Sequence, residues 1–148
     1  MTVKYLLDTN VISEARKQPH RRDPMVHQWI SAVSILDTAI SVITLGEVLA
    51  GVLRMENKDE IQGSKLREWY TNDLLEGFAG RMLPVTREIV EIEAALHVPN
   101  PRPKADALIG ATALTHNLIL MTRNVTDFDG MGLRLLNPWR STPGAEHN

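Results

Sequence analysis

The sequence predicts an α/β fold: an α/β/α sandwich with a mostly parallel central sheet of four to five strands. Three observations predict it. Short β-branched and apolar runs alternate with longer stretches of helical periodicity. The connections between successive runs are long enough for the helical crossovers that parallel pairing needs. The strand runs are apolar rather than alternating, as expected for strands covered by helices on both faces.

Taken in order, Val3 to Leu7 is a buried strand ending at Asp8, and a helix follows from about Asn10 to Lys17. Gln18 to Asp23 is a polar loop. Asp23-Pro24 reads as an N-cap followed by proline at the first helical position, opening a helix to about Ile35. Thr38 to Ile43 is the second strand, and Thr44 begins a helix through about Met55. An amphipathic region covers Asp59 to Phe78. Arg81 to Val85 is the third strand, and Thr86 caps a helix to about His97. Val98-Pro99-Asn100-Pro101-Arg102-Pro103 holds three prolines and is a loop. A helix runs from Lys104 to His116, Leu118 to Thr122 is the fourth strand, and Arg134 to Leu136 a fifth. Residues 1–139 read as a single domain, and 140–148 as a polar tail expected to fray.

The composition of the 148 residues, 43% hydrophobic and 23% charged, is that of an ordinary globular chain. No apolar run approaches the ~18 residues of a membrane helix, and the first residues lack a signal-peptide plan; a cytoplasmic location and no membrane partner are expected. The chain has no cysteine, which removes disulfides, thiolate nucleophiles and cysteine zinc sites. His20, His27, His97, His116 and His147 are scattered, so zinc is not expected. A formal charge of −2 argues against a protein that coats nucleic acid, but local patches remain: Arg16, Lys17, Arg21 and Arg22 in one place, Arg102, Lys104 and Arg123 in another. Either group reads equally well as solvated surface. Trp29, Trp69 and Tyr70 fit the core better than a partner groove.

In open parallel sheets ligands bind beyond the carboxyl ends of the strands, and several acids fall there. Asp8 follows the first strand with Thr9 and Asn10, Glu47 follows the second, and Asp106 sits in the first turn of the helix after the proline loop. Thr122, Asn124 and Asp127 follow the fourth. Each has a plainer reading. Glu47 stands three residues after Thr44, a capping-box spacing; Asp106 suits the positive end of a helix; Asp127 is a turn former. Asp8 is harder to explain away, since Asn10 is able to cap the next helix without it. Three acids at one rim repel one another unless a cation lies between them, and oxygen ligands suit Mg²⁺ or Mn²⁺. On this reading Asp8→Asn and Asp106→Asn each raise the melting temperature of the metal-free chain.

The segments Tyr-Leu-Leu-Asp8-Thr-Asn-Val-Ile-Ser-Glu, Ser-Val-Ile-Thr-Leu-Gly-Glu47, Lys-Ala-Asp106-Ala-Leu-Ile-Gly-Ala-Thr-Ala, Met-Thr-Arg-Asn124-Val-Thr-Asp-Phe and Leu-Asn-Pro-Trp139 resemble the PIN-domain ribonucleases, closest to the VapC/FitB-type toxins of bacterial toxin–antitoxin pairs. The resemblance covers nearly the whole chain, in order. It implies a PIN-like sandwich, a Mg²⁺-dependent endoribonuclease, an RNA substrate, a VapB/FitA-type antitoxin and a homodimer. It assigns Asp8, Glu47 and Asp106 to the acidic metal site. Many PIN domains carry an acid where Asn124 stands, so either Asn124 or Asp127 completes the shell; Asn124 is the better placed of the two. Metal-activated water is the chemistry such ligands support, with Arg102, Lys104 and Arg123 as candidate phosphate anchors. Two competitors stand beside it. A small-molecule phosphatase of the aspartyl-phosphate kind needs a second acid where Asn10 stands, and an inactive PIN-like binding protein has no need of three intact acids.

Overall fold

The computed structural model describes residues 2–143. Its elements run β1 (Tyr5–Leu7), α1 (Thr9–Arg16), α2 (Pro24–Ala32), β2 (Thr38–Ser41), α3 (Val42–Lys58), α4 (Glu60–Trp69), a π-helical turn (Tyr70–Leu74), α5 (Leu75–Gly77), β3 (Met82–Leu83), α6 (Arg87–Leu96), α7 (Lys104–His116), β4 (Ile119–Met121) and β5 (Leu135–Leu136). The five strands lie in the order β3-β2-β1-β4-β5, and every pairing is parallel. Leu6 faces Ala39 on one side and Leu120 on the other.

Alternation along these short strands builds two cores. Leu6, Ala39 and Leu120 pack with Ile109 and Ala113 of α7 and with Phe128. On the opposite face Tyr5 and Met121 pack with Val11 of α1 and Trp29 of α2, and Ile40 packs with Val52, Tyr70, Leu74 and Phe78. Helices therefore cover both faces, as the all-apolar strands require. Trp29 and Tyr70 are core residues, and Trp69 is half-buried.

Three boundaries differ from the sequence reading in ways that matter. β2 stops at Ser41, whose hydroxyl accepts the N–H of Ile43 and starts α3 two residues before Thr44. Thr44 is thus inside the helix, fully buried, with a hydroxyl that has no partner among the described residues; the Thr44–Glu47 capping box does not form. Asp8 itself, rather than Asn10, is the N-cap of α1, accepting the N–H of Thr9 at 2.8 Å. The start of the tail is held, because the buried indole N–H of Trp29 donates to the carbonyl of Ser141; residues 144–148 lie outside the described residues. Elsewhere the punctuation worked: Asp23 caps α2 ahead of Pro24, Thr86 caps α6, and α7 spans Lys104–His116.

Candidate active site

The strand order reverses between β1 and β4, which run side by side while their connections leave in opposite directions. Such a switch point opens a crevice beyond the strand ends, and Asp8 stands at its floor. The backbone N–H of Asp8 donates to the carbonyl of Met121 at 2.9 Å, fastening the exit of β1 to the end of β4. The side chain is 6% exposed. One carboxylate oxygen caps α1; the other accepts the Thr122 hydroxyl at 2.8 Å and the Asn10 amide at 3.2 Å. A carboxylate offers roughly four acceptor positions, so three neutral donors orient Asp8 and leave it room for one further ligand.

Thr122, 0% exposed, is the hub of this arrangement. Its hydroxyl donates to Asp8 and accepts from the Asn10 amide at 3.3 Å and from the Asn124 N–H at 3.1 Å. The Asn10 carbonyl oxygen in turn accepts the Arg123 N–H at 3.1 Å. Asn10 thus ties α1 to the β4 exit. The sequence reading placed Thr122 after the fourth strand and saw Asn10 only as a potential cap. The signal for Asn10 was its place two residues beyond an acid that needs donors.

Glu47 stands on the exposed face of α3, where its carboxylate accepts the Thr9 hydroxyl at 2.5 Å. Thr9 is the residue the sequence reading missed: it immediately follows Asp8 and carries Glu47 toward the same rim. Asp106, half-buried in the first turn of α7, completes the acidic group electrostatically. Burial raises its carboxyl above the ordinary value of 3.8, and the charges of Asp8, Asp127 and Glu47 raise it further. The four acids therefore share one field, although among the described residues no three Asp, Glu, His or Cys side chains are already gathered tightly enough to hold a metal ion. The donor set is carboxylate, hydroxyl and amide oxygen, which fits a hard divalent ion.

Asn124 is exposed beside this rim; its backbone N–H is bonded to Thr122 and its side chain forms no hydrogen bond to the 3₁₀ turn it opens. Asp127 is also exposed, and its charge adds to those of Asp8 and Glu47 in raising the Asp106 carboxyl. The second basic group has other duties. Arg102 donates to the carbonyls of Leu96 and Asp129 at 3.1 and 2.8 Å and braces the proline loop. Lys104 lies 3.3 Å from Glu93, which also pairs with His97. Burial raises the Glu93 carboxyl, but the bonds from His97 and Lys104 outweigh it and hold it low. Arg123 lies over the Trp139 ring at 5.2 Å. Arg102 and Lys104 thus position the loop that delivers Asp106.

The comparisons with known proteins bear on the fold and the family. Residues 5–131 match the PIN domain model, and the chain belongs to that family. It is 34% identical over 140 residues to the "Toxin FitB" of Neisseria gonorrhoeae, covering 90% of this chain and 97% of that one. It is 34% identical over 143 residues to a "VapC ribonuclease" of Sinorhizobium fredii, covering 90% and 96%. Among solved structures, the FitAcB crystal structure from Neisseria gonorrhoeae superposes with a TM-score of 0.82 at 31% identity, covering 93% of this chain and 99% of that one. A toxin–antitoxin complex from Klebsiella pneumoniae does so at 0.65 and 29%, covering 91% and 98%. The resemblance to VapC/FitB-type PIN proteins and the parallel α/β/α architecture are thereby established.

Proposed function

We propose that this chain is a metal-dependent endoribonuclease and the toxin of a toxin–antitoxin pair. The observation that carries the reading is the buried Asp8 carboxylate at the switch point, held by Thr9, Asn10 and Thr122 with Glu47 bonded to Thr9 beside it. The half-buried Asp106 carboxyl is pushed up by burial and by the charges of Asp8, Asp127 and Glu47, an arrangement that a divalent cation relieves. The names of the relatives, ribonuclease and toxin, supply the substrate class and the partner.

Asp8 and Asp106 would hold Mg²⁺ or Mn²⁺, with Glu47 contributing directly or through water. Once bound, such an ion supplies an activated water and neutralises charge on the phosphate and the departing oxygen. The chain's own residues set the stage. Thr122, Asn10 and the Thr9 N–H fix the Asp8 carboxylate in one orientation. The Thr9 hydroxyl holds Glu47 at the rim. Asn124 presents a neutral amide able to orient water without adding to the repulsion among the acids. An antitoxin of the kind present in the related complexes would find apolar surface between α1, α2 and the π-helical turn. There a hollow of about 250 Å³ is lined by Val26, Trp29, Ile30, Leu74 and Phe78 among others.

The test is incubation with bulk RNA and with a chromogenic phosphate ester, each with Mg²⁺ or EDTA, alongside Asp106→Asn. RNA cut only with Mg²⁺ and only by the parent supports the reading. Ester turnover without RNA cleavage points to a phosphatase, and neither activity to a binding protein.

A further inference from the structure

The other basic group, which the site described above does not use, forms a built surface. A groove of about 990 Å³ opens between the end of α1, the turn that follows it and α4, lined by Arg16, Lys17, His20, Arg21, Lys65 and Trp69 among others, with no acid in its lining. Arg16, His20, Arg21 and Lys65 form no ion pair among the described residues; Lys17 is bonded to Glu14. Arg22, just behind the groove, has a different role: it donates to the carbonyls of Ala15 and Lys17 at 2.7 and 3.1 Å and pins the wall in place. Three unpaired cations, Arg16, Arg21 and Lys65, gathered around one hollow repel one another, a cost that an anionic ligand removes.

We infer that this groove holds the phosphate backbone of single-stranded RNA a few nucleotides away from the bond cut at Asp8, with Trp69 as a surface on which a base stacks. The inference rests on the nuclease reading above and adds to it where the strand runs. α1 links the two places. It begins at its cap, Asp8, and ends at Arg16, so its eight residues set them roughly 12 Å apart at 1.5 Å per residue. That span is about four nucleotides at ~3.4 Å per stacked nucleotide, and fewer in an extended strand. A cationic groove with an aromatic wall is the pattern by which proteins hold single strands without reading sequence. It also answers the objection from the acidic net charge: the positive charge is concentrated where the strand would lie.

The test uses the full chain in EDTA, so that binding is measured apart from cutting, with a labelled RNA of about twelve nucleotides, within the usual site sizes for such grooves. Arg21→Ala combined with Lys65→Ala should weaken binding by about tenfold and make the log–log salt dependence shallower by about 1.4, the loss of two phosphate contacts to a single strand. Arg21→Lys with Lys65→Arg should bind like the parent. With Mg²⁺, the rate advantage of that RNA over a dinucleotide should shrink in the alanine variant. Affinity and slope unchanged by the alanine pair overturn the groove even if the parent cuts RNA. A polyglutamate peptide that binds the groove more tightly than RNA also overturns it, assigning the surface to an acidic protein segment. RNA bound with a groove-dependent slope but cut by neither protein supports the groove and overturns the nuclease reading.

Discussion

Asp106 and Asp8 answer to opposite forces, and neutralising each should give opposite results. The folded chain holds the Asp106 carboxyl above its ordinary value of 3.8, so between that value and its raised one the folded state binds more protons than the unfolded. Stability therefore falls as pH rises through that window, and the penalty is fully present above it. Asp106→Asn in the metal-free protein should raise the melting temperature at neutral pH by about 1–3 °C, the scale of a partly exposed charge interaction. That gain should vanish toward pH 4 and below, which melting across pH checks. Asp8→Asn should do the reverse of what the sequence alone suggests. Its carboxylate is buried and takes donors from Thr9, Asn10 and Thr122; an amide would set its own N–H₂ against the Asn10 amide or the Thr122 hydroxyl, which already accepts twice. A loss of about 1–3 kcal/mol is expected. At the rim, Asn124→Ala should slow RNA cleavage by roughly ten- to a hundredfold, as for an outer partner of a metal site. Asp127→Ala should leave the melting temperature unchanged or slightly raised, because no side-chain cap of the 3₁₀ turn is lost and a charge acting on Asp106 is removed. Cleavage abolished by Asp127→Ala in a well-folded protein would instead give Asp127 the fourth position.

At the scale of elements, the α3–α4 pair shows what the sequence conceals. Asp59 ends α3 and caps α4, accepting the N–H groups of Ile61 and Gln62 at 3.1 Å, and the two helices then lie so close that a Cβ on Gly63 would stand 2.4 Å from the Glu56 Cα. Backbone cannot yield as a flexible side chain does, so Gly63→Ala should destabilise by more than about 2 kcal/mol, read as a lower urea midpoint. Reversal of the loss by shortening Glu56 alone would show the contact to be with its side chain. Nothing in the amphipathic pattern of 59–78 distinguishes this contact, or the π-helical turn at Tyr70–Leu74, from a plain helix, because both depend on what lies opposite. Elements whose limits are local chemistry were legible: the Asp23-Pro24 start, the Thr86 cap and the proline loop ahead of α7. The start of α3 was misread because Ser41 and Thr44 are both credible caps. Only the packing that buries Thr44 decides between them. The same holds at the site. Asp8, Glu47 and Asp106 were visible as acids after strands, whereas Thr9 acquires meaning only when α3 brings Glu47 beside it.

For the whole molecule, the sheet order is what makes a site from distant segments. With β1 and β4 adjacent at the point where the order reverses, the residues after each strand share one crevice, while α3 and α7 bring Glu47 and Asp106 to its rim. If the acids gathered there hold a divalent ion, as proposed, added Mg²⁺ should raise the melting temperature of the parent by mass action and that of Asp106→Asn by less. An equal rise in both would place the ion elsewhere. The most direct measurement of the central claim is the rate at which purified parent and Asp106→Asn proteins cut a labelled RNA with Mg²⁺ and with EDTA. The field around Asp106 predicts cleavage by the parent with Mg²⁺, none with EDTA, and a loss of about a hundredfold or more in the variant, the scale of removing a group that acts on the reacting charge. Cleavage by Asp106→Asn at the parent's rate, or by the parent in EDTA, would contradict it.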